Sequence, residues 1–143
     1  MNAIATAPAP SKPNRGRSIG AILAGFVVVV VLSTLTDVVM YATKIFPAPG
    51  SPGQPMSDAL FALSTLYRTV YTVLGGYITA RLAPNRPVRH AIILGFVGIV
   101  VGSIGAAATW NRNMGPHWYA ILLVVLAVPS CWVGARLFAR GGE

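Results

Sequence analysis

From Ala91 to Thr109 the chain sets small residues on a strict grid. Ala91, Gly95, Gly98, Gly102, Gly105 and Thr109 recur at alternating steps of four and three. That spacing puts all six on one stripe of a helix. The residues between them are almost all apolar, and no charge interrupts the run. In water, each glycine in a helix interior would cost roughly 1 kcal/mol against alanine. In lipid the same glycines let a neighbouring backbone approach closely, so dispersion can hold the contact. The stretch therefore predicts a membrane helix with a smooth packing seam.

Composition agrees with a lipid setting. Of 143 residues, 55% are hydrophobic and 10% charged, where a soluble domain carries about 25% charged residues. Apolar runs near 19–41, 59–82, 91–110 and 118–138 are each long enough for about 30 Å of hydrocarbon. The expected fold is all-α, a polytopic four-helix membrane bundle forming one domain over residues 19–140.

The net charge of +8 raises the question of nucleic acid, and the positions of the charges answer it. Lys12, Arg15 and Arg17 precede the first run. Arg81, Arg86 and Arg89 surround the second connection, and Arg136 and Arg140 close the fourth run. The opposite loops hold only Lys44 and Arg112. This is the positive-inside pattern, with both termini cytoplasmic, and it accounts for the excess without a nucleic-acid partner. Cys131, the single cysteine, reads as a small buried apolar residue.

Residues 1–18, rich in alanine and proline and ending in basic residues, read as a mobile cytoplasmic tail. The apolar run that follows is longer than a signal-peptide core and lacks an Ala-x-Ala site, so it reads as an uncleaved first helix. Residues 43–58 carry four prolines and two glycines and read as an external loop. Ser57 or Asp58 can cap the second helix, Pro84 ends it, and Pro87 suits the start of the third. The connection between them is so short that helices two and three should be antiparallel neighbours. Helix two has its own stripe: Thr65, Thr69, Thr72, Gly76, Thr79 and Ala83. Set against the glycine row, it predicts that helices two and three form the closest pair. Tyr41, Phe46, Trp110, Trp118 and Tyr119 suit an aromatic belt at the outer interface.

Residues 20–33 laid on 90–103 match at Ala21/Ala91, Ile22/Ile92, Gly25/Gly95 and Phe26/Phe96, among others, and Ala80-Arg81-Leu82 recurs as Ala135-Arg136-Leu137. Two copies of a helical hairpin in the same orientation would produce this. The segments Thr36-Asp37, Tyr67-Arg68, Gly76-Tyr77, Ala80-Arg81-Leu82-Ala83-Pro84, Arg86-Pro87, His90-Ala91, Gly95 and Gly115-Pro116 before Trp118-Tyr119 also resemble a group of small four-span bacterial membrane proteins to which no activity is assigned. Val88 stands where that group would have methionine. The resemblance implies a bacterial inner-membrane location and carries over no catalytic residues.

Asp37 and Arg68 are the charges that fall well within expected spans. Either alone at a helix centre costs about 2.5–3.5 kcal/mol on insertion scales. Counted at 1.5 Å per residue they lie roughly 7 and 14 Å below the outer end, a gap that a long arginine side chain closes. The expectation is an intramembrane ion pair with a polar surround of Ser33, Thr34, Tyr41, Tyr67, Tyr71 and Thr72. The pair either fixes helix packing or marks a pathway open to the outside.

Catalysis is hard to build from this sequence. His90 and His117 belong to opposite ends of the expected bundle, no metal-ligand spacing occurs, and Cys131 has no base nearby in sequence. No catalytic residue, metal or cofactor is therefore expected. The favoured role is a non-catalytic accessory or packing component in the lipid bilayer, as a homo-oligomer or within a larger membrane complex. The alternative is a small solute or ion transporter or channel built around Asp37 and Arg68. A polar cavity reaching Arg68, Tyr67 and Tyr71 from outside would favour transport; a dry, closed interior with a lipid-facing apolar patch would favour packing.

Overall fold

A computed structural model describes residues 14–48, 56–112 and 114–142. Four helices account for nearly all of them: α1 (Arg15–Ala42), α2 (Asp58–Leu82), α3 (Pro87–Thr109) and α4 (His117–Arg140). The shortest, α3, has 23 residues and is about 35 Å long. The tail and most of the Pro/Gly loop expected from sequence lie outside the described residues. The helix reaches back into that tail, since Arg15 and Arg17 already belong to the first turn of α1. Pro87 takes the first position of α3, where its missing N–H costs nothing. Ser57 occupies the N-cap of α2 without a side-chain capping bond, and Asp58 instead accepts a bond from Trp118 Nε1 at 3.4 Å.

α1, α3 and α4 are long and apolar enough to cross a membrane. α2 falls short of that measure, where four equivalent spans were expected. The reason is its composition, because Ser64, Thr65, Thr69, Thr72 and Thr79 occupy positions that leucine or valine hold in the other helices. Thr65, Thr69 and Thr72 each return their hydroxyl to the carbonyl four residues back. Those bonds satisfy the hydroxyls without help from another helix.

Helices two and three do not form the closest pair. α2 packs most extensively on α4, α3 lies on α4, and α1 lies on α2; α2 and α3 meet across the bundle diagonal. α2 and α4 run parallel, with Ser64 beside Tyr119, Gly76 beside Cys131 and Ala80 beside Ala135. α1 runs antiparallel to α2, and α3 to α4. For orientation, the C-terminal ends of α1 and α3 are called the upper end and their N-terminal ends the lower end.

The correction has a steric cause. A Cβ on Gly76 would run into the carbonyl oxygen of Cys131 and stand 2.7 Å from its Cα; one on Gly134 would overlap the Val73 carbonyl and stand 2.7 Å from the Tyr77 nitrogen. Glycine at both positions lets α2 and α4 touch backbone to backbone. On the other side of α2, a Cβ on Gly25 would overlap Thr79 Oγ1 and lie 2.6 Å from the Gly75 carbonyl. Thr79 Oγ1 donates to the Ala21 carbonyl there, at 3.2 Å.

The matched positions of the two hairpins take matched places. Ala21 and Ala91 are both buried, as are Ala80 and Ala135, and the last three form the lower core with Val88 and Phe138 against them. Gly25 and Gly95 each press on the backbone of the next helix in the chain.

Candidate functional site

Toward the upper end the helices separate around a set of polar side chains. Arg68, midway along α2, points Nη2 at Asp37 Oδ2 of α1, and the two form an ion pair. Arg68 Nε donates to Ser64 Oγ at 3.3 Å. Ser64 lies one turn before Arg68, so the helix itself sets that contact. Ser64 Oγ donates to Tyr67 Oη at 3.2 Å, and Tyr67 Oη donates to Asp37 Oδ1. Tyr119 of α4 joins at 3.0 Å from Ser64 Oγ. Since Ser64 spends its one hydrogen on Tyr67, Tyr119 is the donor in that bond. Phe61 packs on the Tyr119 ring at 5.1 Å between centroids, which fixes the phenol. Every hydroxyl proton in the run from Tyr119 through Ser64 and Tyr67 thus points toward Asp37.

The expected polar surround is met at some positions and not at others. Tyr67 touches Asp37 directly. Tyr71 bonds Thr36 Oγ1 at 2.8 Å instead of either charge. Thr72 is on the Arg68 side, but its hydroxyl returns to the Arg68 carbonyl at 2.8 Å. Ser33 is buried one turn below Asp37 and shares a cavity wall with Arg68 and Thr72. Thr34 and Tyr41 do not join: Thr34 is exposed, and Tyr41 packs edge-on against Phe46. Their spacing brings them near the Asp37 face in sequence, while α2 covers α1 from the side bearing Ser33, Thr36 and Asp37. Ser64, Thr36 and Tyr119 complete the cluster. Ser64 was legible from its four-residue spacing to Arg68; Tyr119, on another helix, carried no such signal.

The glycine row of α3 faces α4 and the interior, not α2. Only its lower part is tight, where a Cβ on Gly95 would lie 2.8 Å from the Val128 Cα. At Gly98 the nearest atom would be the Ala127 Cβ at 3.3 Å, at Gly102 the end of Val124 at 3.2 Å, and at Gly105 nothing lies within 4 Å. The row opens upward into two cavities. One, of about 210 Å³, lies between Ser33, Arg68, Thr72, Gly98, Ala127 and Cys131. The other, of about 380 Å³, runs from Arg68 past Gly102, Gly105 and Tyr119 to Trp110 and His117 at the upper end. Trp110 and His117 stack at its mouth, 4.1 Å between ring centroids. Arg68, Gly102 and Leu123 border both cavities. The walls are otherwise mainly small or apolar side chains.

The guanidinium uses Nε and Nη2 in the bonds already given. Its Nη1 edge has no hydrogen-bond partner among the described residues. Chemically, the arrangement offers one cation beside an apolar space, balanced by one carboxylate and reached by a run of hydroxyls. Among the described residues no three His, Cys, Asp or Glu side chains stand together as a metal site. No family model, no curated protein and no solved structure matches the chain.

Proposed function

We propose that the protein crosses a bacterial inner membrane four times, with both termini in the cytoplasm, and carries a small solute through or into the cavity at Arg68. Support for the membrane setting comes from where side chains of different size lie. Thr79 and Cys131 are the largest fully buried side chains, while Leu66 and Ile104 are 62% and 65% exposed. A water-soluble core buries its large aliphatics; a bundle in lipid uses small residues between helices and turns the large ones outward. α2 is as long as its neighbours, and its polar side chains have partners inside the bundle. Arg81, Arg86, Arg89, Arg136 and Arg140 gather at the lower end with the start of α1, against Lys44 and Arg112 at the upper end. The lower end is then cytoplasmic.

The observation that carries the solute reading is the 380 Å³ cavity that runs from the upper end down to Arg68. An arginine serving only to lock two helices would be closed over by them. This one borders open space, as intramembrane charges on a substrate path do. The cavity reaches Arg68 but borders neither Tyr67 nor Tyr71, and its walls are mainly apolar; the opening at Arg68 alone ranks a packing component with a dry interior second.

Two measurements test it. Reporter fusions at the C-terminus should report a cytoplasmic location. A Gly105→Cys variant in a Cys131→Ala background should react, in intact cells, with a maleimide that cannot cross membranes. Labelling only after the cells are opened, or none in unfolded-state-controlled samples, would remove the outward-facing site.

A further inference from the structure

Resting on that solute reading, we infer that the Arg68 cavity takes an apolar monocarboxylic acid, and that each anion bound brings one proton, which settles on Asp37. The ligand class follows from the walls. One guanidinium matches one carboxylate, two N–H groups to two oxygens. The space beside it is bordered mainly by Gly102, Gly105, Ala106, Met114 and Leu123, which offer surface to a hydrocarbon or aromatic body, with Thr109, His117 and Tyr119 as its other polar groups. Arg68 is the one arginine or lysine among the lining residues, so the second charge of a dianion would have no guanidinium or ammonium to pair with and would bear the cost of its desolvation.

The proton follows from charge balance. With the site empty, Asp37 and Arg68 are neutral as a pair. Adding a carboxylate places two negative charges on one guanidinium in a poorly solvated space, and two such carboxylates resist being ionised together. If Asp37 gains a proton as the ligand arrives, Arg68 pairs with the ligand and the complex is neutral again. The balance is one carboxylate and one solvent proton in, one Asp37 carboxyl and one Arg68–ligand pair formed.

The hydroxyl run supplies the route. Tyr119 borders the cavity, and the donors Tyr119, Ser64 and Tyr67 all point toward Asp37. A proton entering at Tyr119 can therefore be relayed by each hydroxyl passing its own hydrogen one step on. The groups around Asp37 are few. α2 presents Tyr67 and Arg68, with Tyr71 one step away through Thr36; α4 presents Tyr119 through Ser64 and, at the mouth of the cavity, His117; α1 itself adds Tyr41 one turn above. α3 has its ionisable groups, Arg89 and His90, at the lower end.

The test is binding of benzoate to the full chain in nanodiscs of neutral phosphatidylcholine, by calorimetry between pH 6 and 8. The apparent Kd should rise about tenfold per pH unit, and heats in phosphate and Tris should report one proton taken up per benzoate. Asp37→Asn, a neutral stand-in for the protonated acid, should bind benzoate with no pH dependence, and Arg68→Gln should not bind it. The wild-type buffer comparison decides the proton count even where a variant fails to fold. Oleate as competitor separates the sources: displacement of benzoate by oleate, or oleate binding alone, points to an acid drawn from the bilayer, and benzoate binding untouched by oleate to an acid from water. Benzoate binding with no proton uptake would overturn the coupling. Failure of both acids, or equal competition by chloride, would overturn the ligand class. In either case labelling at position 105 would still decide whether the outward-facing cavity itself stands.

Discussion

In the lower half of the bundle a Cβ on Gly25, Gly76 or Gly134 would strike the backbone of the next helix, whereas in the upper half Gly105 has nothing within 4 Å. The two halves share a composition of small residues on apolar helices, and they use it in opposite ways. What differs is the residue standing opposite. Below, Gly25 meets the Gly75 carbonyl, Gly76 the Cys131 main chain and Gly134 the Val73 carbonyl, so the helices close backbone to backbone. Above, Tyr67, Arg68, Tyr71 and Tyr119 occupy the interior and hold the helices apart. A small residue is therefore a contact or a gap according to its partner, and the upper glycines leave room beside a charge.

The largest expected effect sets those halves directly against each other. Gly134→Leu must force α4 off the Val73 carbonyl, and overpacking of a close contact costs about 3 kcal/mol or more. Gly105→Leu places the same side chain in open space and should leave thermal unfolding in detergent within about 0.5 kcal/mol of the parent, while filling the cavity that leads to Arg68. Equal losses for the two variants would erase the distinction between a closed and an open half.

Next in size is the ion pair, the feature that most separates the upper half from the lower. Removing one partner of a buried pair strands the other, typically at 3–5 kcal/mol. Asp37 and Arg68 keep a quarter to a third of their side-chain surface exposed, so each of Asp37→Ala and Arg68→Leu should cost about 3 kcal/mol or somewhat less. The double variant should recover most of that loss, because no charge is left alone. Folded yield and thermal midpoint across the four proteins form the cycle, and strictly additive losses would show that the two charges do not depend on one another.

These expectations also mark how far the chain could be read without coordinates. Asp37 and Arg68 were placed within reach of each other by counting rise per residue from the loop, and their side chains meet. The Pro87 helix start was open to the same kind of counting. The α2–α4 contact was not. Alternating steps of four and three say which residues share a face, but not which helix lies on it. Of the two glycines that decide the matter, Gly76 lies on the α2 stripe, but its counterpart Gly134 stands outside both regular stripes. Likewise Thr65, Thr69 and Thr72 look like cross-helix donors on a helical wheel, yet each hydroxyl has a carbonyl of its own helix nearer. The cavity was illegible for a further reason: it depends on the side chains of three helices meeting at one depth, and no single segment records that.

Ser64→Ala should cost less than losing a charge. It removes the oxygen that Tyr119 and Arg68 donate to, and the hydrogen that Tyr67 receives. Arg68 and Tyr119 border the cavity, where water can replace part of what is lost, so about 1–2 kcal/mol is expected. A larger loss would mean that the upper half is as tightly closed as the lower.

The smallest effect belongs to a hydrogen bond between α2 and α1 in the lower half. Thr79 is fully buried and donates to the Ala21 carbonyl at 3.2 Å. That carbonyl lies within α1 and already accepts the helical bond from the residue four positions on, so losing the hydroxyl leaves no orphaned acceptor. Thr79→Val keeps the branched shape that fills the space above Gly25 and removes only the donor. Hydrogen bonds between helices in membranes average about 0.6 kcal/mol, and the variant should lose about that much in a detergent unfolding titration. Thr79→Leu, by contrast, should fail as Gly134→Leu does, since the added bulk has only the Gly25 backbone to move into. If the valine variant loses as much as the leucine one, the lower half is held by that hydroxyl. A small loss for valine and a large one for leucine would place its stability in the closeness of the backbones.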